Sequence, residues 1–266
     1  MRIRLLLSFL FIGALPSSAQ IVSPKFGEGL LRLKAKDSSW TMKIGARMQI
    51  LAIAKKKLNN TINSSFYIRR ARLKFGGHAF SPRLKYKLEL GLSNNDLSGA
   101  SKYTNHAPRL ILDAVIKWNF YKNFELWFGQ TKLPGNRERV ISSGNLQQVD
   151  RSRLNSVFNI DRDQGLQIRH HFLIKKMLIR GIFSIAQGEG RNITTGNIGG
   201  LQYTSRVELL PFGKFKNKGE YKGSDLKFEK HPKLALGLSY DYNKDAVKTR
   251  SNQAELHGNK YWILHD

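Results

Sequence analysis

There is no cysteine in this chain, which excludes disulfide staples, thiolate metal sites and cysteine nucleophiles. Acidic residues are scarce as well. Only 19 Asp and Glu stand against 45 Lys and Arg, leaving a formal charge of +26. An imbalance of that size creates a field that attracts anions, nucleic acid or anionic lipid, and the direction the charges face decides which. Long apolar runs are missing too. The longest, Leu5 to Leu15, is about half of the roughly 20 residues a spanning helix needs. It follows Arg2 and Arg4 and precedes Pro16, Ser17, Ser18 and Ala19, the three-part layout of a cleaved secretory signal. Residues 1–19 are therefore expected to be a signal peptide and 20–39 a periplasmic N-terminal segment. The remaining chain is either soluble or crosses a membrane as strands.

Catalytic signatures are also lacking. His170 and His171 are adjacent, so on a strand they point to opposite faces and cannot share a metal. The Gly188 to Asn192 run is glycine-rich, but it lies in a loop and not at a strand–helix junction, so it does not read as a nucleotide site. No paired-carboxylate site or nucleophile motif is recognisable. The expectation is a protein that is not an enzyme and has no cofactor and no metal.

What the chain does have is period-two alternation, the mark of strands with two unlike faces. Met42, Ile44, Ala46, Met48 and Ile50 alternate with Lys43, Gly45, Arg47 and Gln49. In the next segment Ala71, Leu73 and Phe75 oppose Arg70, Arg72 and Lys74. Leu84, Tyr86, Leu88 and Leu90 then oppose Lys85, Lys87 and Glu89. The fourth segment sets Leu110, Leu112, Ala114, Ile116, Trp118 and Phe120 against Arg109, Asp113, Lys117 and Asn119. Further strands are expected over 124–133, 165–172, 177–186, 201–210 and 234–243, with another near Tyr261. Within 165–172, His170 sits on the apolar face, which makes it either an interface position or a sign of shifted register.

Connections alternate between long and short. About a dozen residues ending near Ser65, then 94–108, 134–164 and 187–200 are long. The turns at 80–82, 121–123 and 175–176 are short. Bacterial outer-membrane barrels show this rhythm of long extracellular loops and short periplasmic turns. Aromatics near strand ends, among them Trp118, Phe120, Tyr121, Phe124 and Tyr240, suit the girdles at membrane interfaces. The Lys-rich stretch 211–232 breaks the rhythm, being long where a short turn is due, and reads as an inserted flexible excursion. A soluble β-sandwich or lipocalin-like barrel is the competing architecture, since its strands also have one apolar and one polar face.

The chain resembles the phosphate-selective porin O and P family. The resemblance is carried by Gly29 to Gln49, Phe66 to Gly77, Ser81 to Leu90, Leu112 to Phe120, Glu125 to Ser143, Arg162 to Phe172 and Ser205 to Gly213. In that family a glycine–glutamine pair, a basic residue and a proline lead into the long loop, and here these are Gly129, Gln130, Lys132 and Pro134. One departure is local: the family usually follows this proline with phenylalanine, and here Gly135 stands there. The other is global. About nine or ten strands are countable, whereas water-filled porins need roughly 16 to 18. The resemblance therefore implies an all-β, antiparallel transmembrane barrel of the porin type that is incomplete at its C-terminus, with residues 40–266 forming the partial barrel and 134–164 its constriction loop.

If apolar faces meet lipid, the cations opposite them line the lumen, and rows of Arg and Lys are how anion pores select. Arg70, Arg72, Lys74, Lys85, Lys87, Lys117 and Arg206 are the expected pore-lining, anion-binding residues. Arg137, Arg139, Arg151, Arg153 and Arg162 are expected to charge the constriction loop. The function expected is passive diffusion of anions such as phosphate across the bacterial outer membrane. The alternatives are a non-conducting structural or binding barrel, or a remnant, that docks glycans or a partner through its long loops, and an exported soluble protein that binds polyanions. Expected partners are outer-membrane lipid and small anions, together with further copies in a homo-oligomer such as a trimer or a complementing chain. Nucleic acid is not expected.

Overall fold

A computed structural model describes residues 19–22, 29–58, 61–194, 196–250, 252–256 and 261–265. Except for Ala19, the expected signal peptide lies outside the described residues. The chain forms a 12-stranded sheet. Its strands are β1 (Ala19–Val22), β2 (Leu31–Ala35), β3 (Thr41–Lys56), β4 (Ile62–Ala79), β5 (Ser81–Gly91), β6 (Ile111–Tyr121), β7 (Phe124–Lys132), β8 (Arg162–Ile174), β9 (Met177–Ala186), β10 (Gln202–Leu210) and β11 (Leu236–Asn243), followed by β14 (Tyr261–His265). A separate two-stranded ribbon, β12 (Lys248–Arg250) with β13 (Gln253–Leu256), lies between β11 and β14 in sequence. Every neighbour in the large sheet is antiparallel and follows in chain order. Among the described residues β1 and β14 are not paired to each other, so the sheet is an open wall and not a closed cylinder.

The wall is inside-out relative to a soluble protein. Gln202, Thr204, Arg206, Ser239 and Asp241 are almost wholly enclosed, while Met48, Phe66, Phe128, Val207 and Leu238 are exposed. A sandwich core would reverse this distribution. An apolar outer face with a polar concave face is what strands in lipid require. Among the described residues no helix is long and apolar enough to cross a membrane.

Strand placement follows the alternation closely, but parity changes at β-bulges, two of which lie away from the short turns. Gln49 pairs Arg70 and Ile50 pairs Ile68, leaving Arg69 unpaired. Glu89 pairs Asp113 and Leu90 pairs Ile111, leaving Leu112 unpaired. Leu112, expected on the outer face, is consequently buried and turned toward the interior. The first long loop shrinks to residues 57–61, because β3 and β4 continue pairing as far as Lys56 and Ile62. The N-terminal segment also joins the sheet, β1 pairing β2 and β2 pairing β3. Near the short turns the rings of Trp118, Phe120, Phe124, His170 and Phe172 form a run with centroid spacings of 5.8, 6.0, 3.9 and 5.7 Å. His170 is thus a member of an aromatic belt, which accounts for its place among apolar residues.

Candidate functional site: a basic cavity under an inward loop

The connection from β7 to β8 leaves the long-loop end and folds across the concave face. Its neck is closed by the Leu133 amide donating to the Asp161 carbonyl at 3.2 Å and by a small apolar cluster of Leu133, Ile160 and Ala186. Gly135 explains itself here. A Cβ at that position would lie 2.6 Å from Ile160 Cγ1, so the phenylalanine usual in the family has no room. The Gly135 carbonyl instead accepts hydrogen bonds from Arg206 at 3.0 Å and Ser239 at 3.1 Å, tying the neck to β10 and β11.

Two short helices shape the loop, α1 (Arg137–Val140) and α2 (Arg153–Val157). Asn136 and Ser152 cap them, accepting from the Arg139 and Asn155 amides at 2.9 and 3.1 Å. Such caps satisfy backbone donors that the first helical turn leaves free. Cations hold the loop from within. Lys132 Nζ donates to the carbonyls of Arg139 and Ile141 at 2.7 and 3.1 Å. Arg151 donates to those of Glu138 and Ile141 at 2.8 and 2.9 Å. At the tip, Ser143 accepts from Arg47 at 2.7 Å and Arg72 at 3.2 Å. Asp150 pairs with Arg69 at 2.5 Å and Arg70 at 2.8 Å.

Beneath the loop lies a cavity of about 950 Å³. Arg70, Arg72, Lys74, Lys87 and Lys117 from the wall line it, together with Arg139, Arg151 and Arg162 from the loop and its end. The wall is more balanced than a row of cations. Arg72 pairs with Asp96 at 3.0 Å and Glu89 at 3.4 Å; Lys87 pairs with Glu89 at 2.9 Å and Asp113 at 2.5 Å. Lys74 reaches Glu89 at 3.6 Å, and Arg162 pairs with Asp113 at 3.0 Å. Cross-strand register sets this ladder, since Lys74 stands opposite Glu89 and Glu89 opposite Asp113. Pairing of this kind offsets the cost of taking the charges out of water.

Other cations have no carboxylate partner among the described residues. Lys117 and Arg169 lie 3.7 and 3.6 Å from the centroid of the Trp127 ring, a cation–π arrangement. Arg151 and Arg191 are likewise outside every described ion pair. Burial, then the charges of Arg70 and Arg162, push Arg151 down to about 10. Burial, then Arg109 and Arg162, do the same to Arg191, also to about 10. Arg139 is held well below the usual arginine range by burial and by Arg162 and Arg151, and it pairs with Asp161. Arg139 Nε and Arg191 Nη1 are buried without an acceptor.

Four expected residues fall elsewhere. Arg206 is only 2 % exposed and is satisfied by Glu208 at 2.9 Å, Ser239 at 2.8 Å and the Gly135 carbonyl, so it clamps the loop and does not line the cavity. Lys85 is exposed near the short-turn end and is not part of the cavity lining. Arg137 lies over the Tyr221 ring at 5.7 Å, and Arg153 is exposed at the start of α2. Alternation hides Arg69, whose odd position reads as lipid-facing until the bulge turns it inward. Asp96, Asp150 and Arg191 sit in loops, where no periodicity marks them. The signal that could have found the acids is the surplus of wall cations, which needs partners.

An antiparallel wall with an apolar outer face, short turns at one end and a long loop folded over a polar interior is the architecture of outer-membrane porins. Residues 42–192 match the family described as phosphate-selective porin O and P; that is more than half of the chain, and the chain belongs to this family. Membership in a porin family implies a place in the bacterial outer membrane. It is 26 % identical over 208 residues, 71 % of this chain and 50 % of the relative, to an uncharacterized protein of Aquifex aeolicus (strain VF5). The chain thus spans about half the length of that curated relative.

Proposed function

We propose that this chain forms a basic wall of an outer-membrane pore through which small anions, phosphate among them, diffuse passively. The observation that carries the reading is the cluster of Arg139, Arg151 and Arg191 around the cavity, in which Arg139 and Arg191 each keep one buried guanidinium nitrogen without an acceptor and the lining cations outnumber the carboxylates. An anion between these groups would accept the free N–H bonds and relieve their mutual repulsion. Arginine suits phosphate because its planar fork donates two bonds to one oxyanion. Several weak contacts serve conduction better than one tight site, because the ion must also leave. The open edges would be closed by further strands, by another copy as in a trimer, or by a complementing chain. Export would proceed through cleavage of residues 1–19.

The test is planar-bilayer conductance of refolded protein in a potassium chloride gradient. The reversal potential is expected to show anion preference, and millimolar phosphate is expected to lower chloride conductance. Absence of channels, or cation preference at neutral pH, would remove the proposal. Arg139→Gln combined with Arg151→Gln is expected to weaken phosphate block by about tenfold, the loss of roughly 1.4 kcal/mol of charged hydrogen bonding.

A further inference from the structure

The connection from β10 to β11, residues 211–235, leaves the short-turn end, where a few residues would be enough. It does not hang free. Its base is closed by Lys233 Nζ donating to the Phe212 carbonyl at 2.7 Å. Internally, Lys216 Nζ donates to the Phe228 carbonyl at 2.8 Å, and Asp225 accepts from the Glu229 amide at 2.8 Å. From there the segment runs back over the concave face. Glu220 is buried and paired with Arg180 of β9 at 2.6 Å. The Tyr221 hydroxyl donates to Glu208 of β10 and accepts from Arg180 at 3.3 Å, while Arg137 and Arg180 lie 5.7 and 5.5 Å from its ring centroid.

Beyond Tyr221 the segment meets the tip of the inward loop, which comes from the opposite end. The Gly223 amide donates to the Asn145 carbonyl at 2.7 Å. Asn145 Nδ2 donates to the Tyr221 carbonyl at 3.4 Å. The approach is close enough that a Cβ on Gly223 would lie 2.9 Å from Gln147 Cα and would overlap the Gln147 amide nitrogen. The far side of the tip is held by Arg47, Arg70 and Arg72 through Ser143 and Asp150. The tip therefore has two anchorages, one on the β3–β4 wall and one on 211–235.

We propose that residues 211–235 are a strut that positions the tip of the inward loop, with Tyr221 and Gly223 as positioning residues, so that the opening beside the tip is set from the short-turn side. The consequence for conduction rests on the porin reading above; the mechanical claim does not. The chain has no cysteine, so a single spin label at Gln148→Cys reports on the tip alone. In lipid vesicles, Gly223→Val and, separately, Tyr221→Ala are expected to convert an immobilised label spectrum to a mobile one. Replacing 214–232 by a short Gly-Ser turn should do the same. In bilayers the same variants are expected to show about twofold larger and noisier conductance with anion preference retained, since Arg70, Arg72 and Arg151 are untouched. Circular dichroism and heat-modifiable migration check that each variant folds. A label spectrum unchanged in Tyr221→Ala and in the excised protein would overturn the strut, whether or not the protein conducts. Absence of channels in the parent protein, with the label still mobilised, would instead count against the pore reading alone.

Discussion

Arg72 joins three parts of the molecule, reaching Asp96 in the β5–β6 loop, Glu89 on the wall and Ser143 on the inward loop. Removing its charge leaves buried Asp96 without its ion-pair partner, while Glu89 keeps Lys87 and Lys74, and breaking a buried pair costs about 3 kcal/mol or more. Arg72→Gln is therefore expected to lower the urea midpoint of unfolding in detergent. The dependence on pH has a definite sign. Burial alone would raise the Asp96 carboxyl, but the hydrogen bond and charge of Arg72 outweigh it and hold it below the usual aspartate value. A depressed carboxylate stabilises the fold above its unfolded pKa of about 3.9, and that contribution fades as pH falls below it. Parent protein should lose stability on acidification below about pH 4, and Arg72→Gln should show a smaller acid loss. Urea titrations between pH 3 and 6 would reveal an equal loss if the pairing were idle.

Gly129 is a second single-residue constraint. It holds φ +119° in the middle of β7, and a Cβ there would overlap the Ala114 carbonyl oxygen on β6. Strain of about 1–3 kcal/mol is usual for a side chain in such a conformation. Gly129→Ala should lower the thermal midpoint measured by heat-modifiable migration, whereas Gly45→Ala, where a Cβ meets nothing within 4 Å, should not.

At the scale of elements, the β3–β4 hairpin is longer than a membrane needs. Its strands run 16 and 18 residues, against about 9–11 for a tilted crossing. Everything from about Ala52 to Phe66 should stand clear of lipid at the long-loop end. Replacing 53–65 by a two-residue turn is expected to leave membrane insertion unchanged. In the parent, protease added from outside should cut at Lys55 to Lys57; full protection in intact cells would contradict the placement.

Strands were legible because lipid imposes a strict alternation that the sequence displays openly: the expected 177–186 and observed β9 coincide. The first long loop is shorter than its polar composition implies because β3 and β4 keep pairing as far as Lys56 and Ile62. The inward loop could be located by length and arginine content, but its fastenings could not. Asp150, Asn145 and Ser143 act through contacts with residues 71 or more positions away. Arg206 shows the limit of face assignment: alternation correctly turned it inward, yet only packing decides whether an inward cation meets water or a neighbour.

For the whole molecule, the polar interior and greasy exterior make location testable without any channel. Leu238 is more than half exposed on the outer face, while its sequence neighbour Ser239 is sealed inside. Leu238→Arg is expected to cost about 2–4 kcal/mol if that position lies near mid-bilayer, less toward an interface. Ser239→Ala should cost less, removing one acceptor from Arg206. Carbonate extraction that released the parent from membranes would contradict the assignment of the outer face to lipid.

Arg69 and Leu112, extra residues in the ladder away from the short turns, act like commas in a line of verse with a two-beat metre. Counting from the short-turn end, odd-numbered side chains of β4 face outward through Ala71; past Arg69 the even-numbered Ile68 and Phe66 take over, opposite Ile50 and Ala52. A saturation scan along this strand should therefore show tolerance to charge swapping phase at one position, and deleting Arg69 should bring the beats back into step while removing one of the two grips on Asp150.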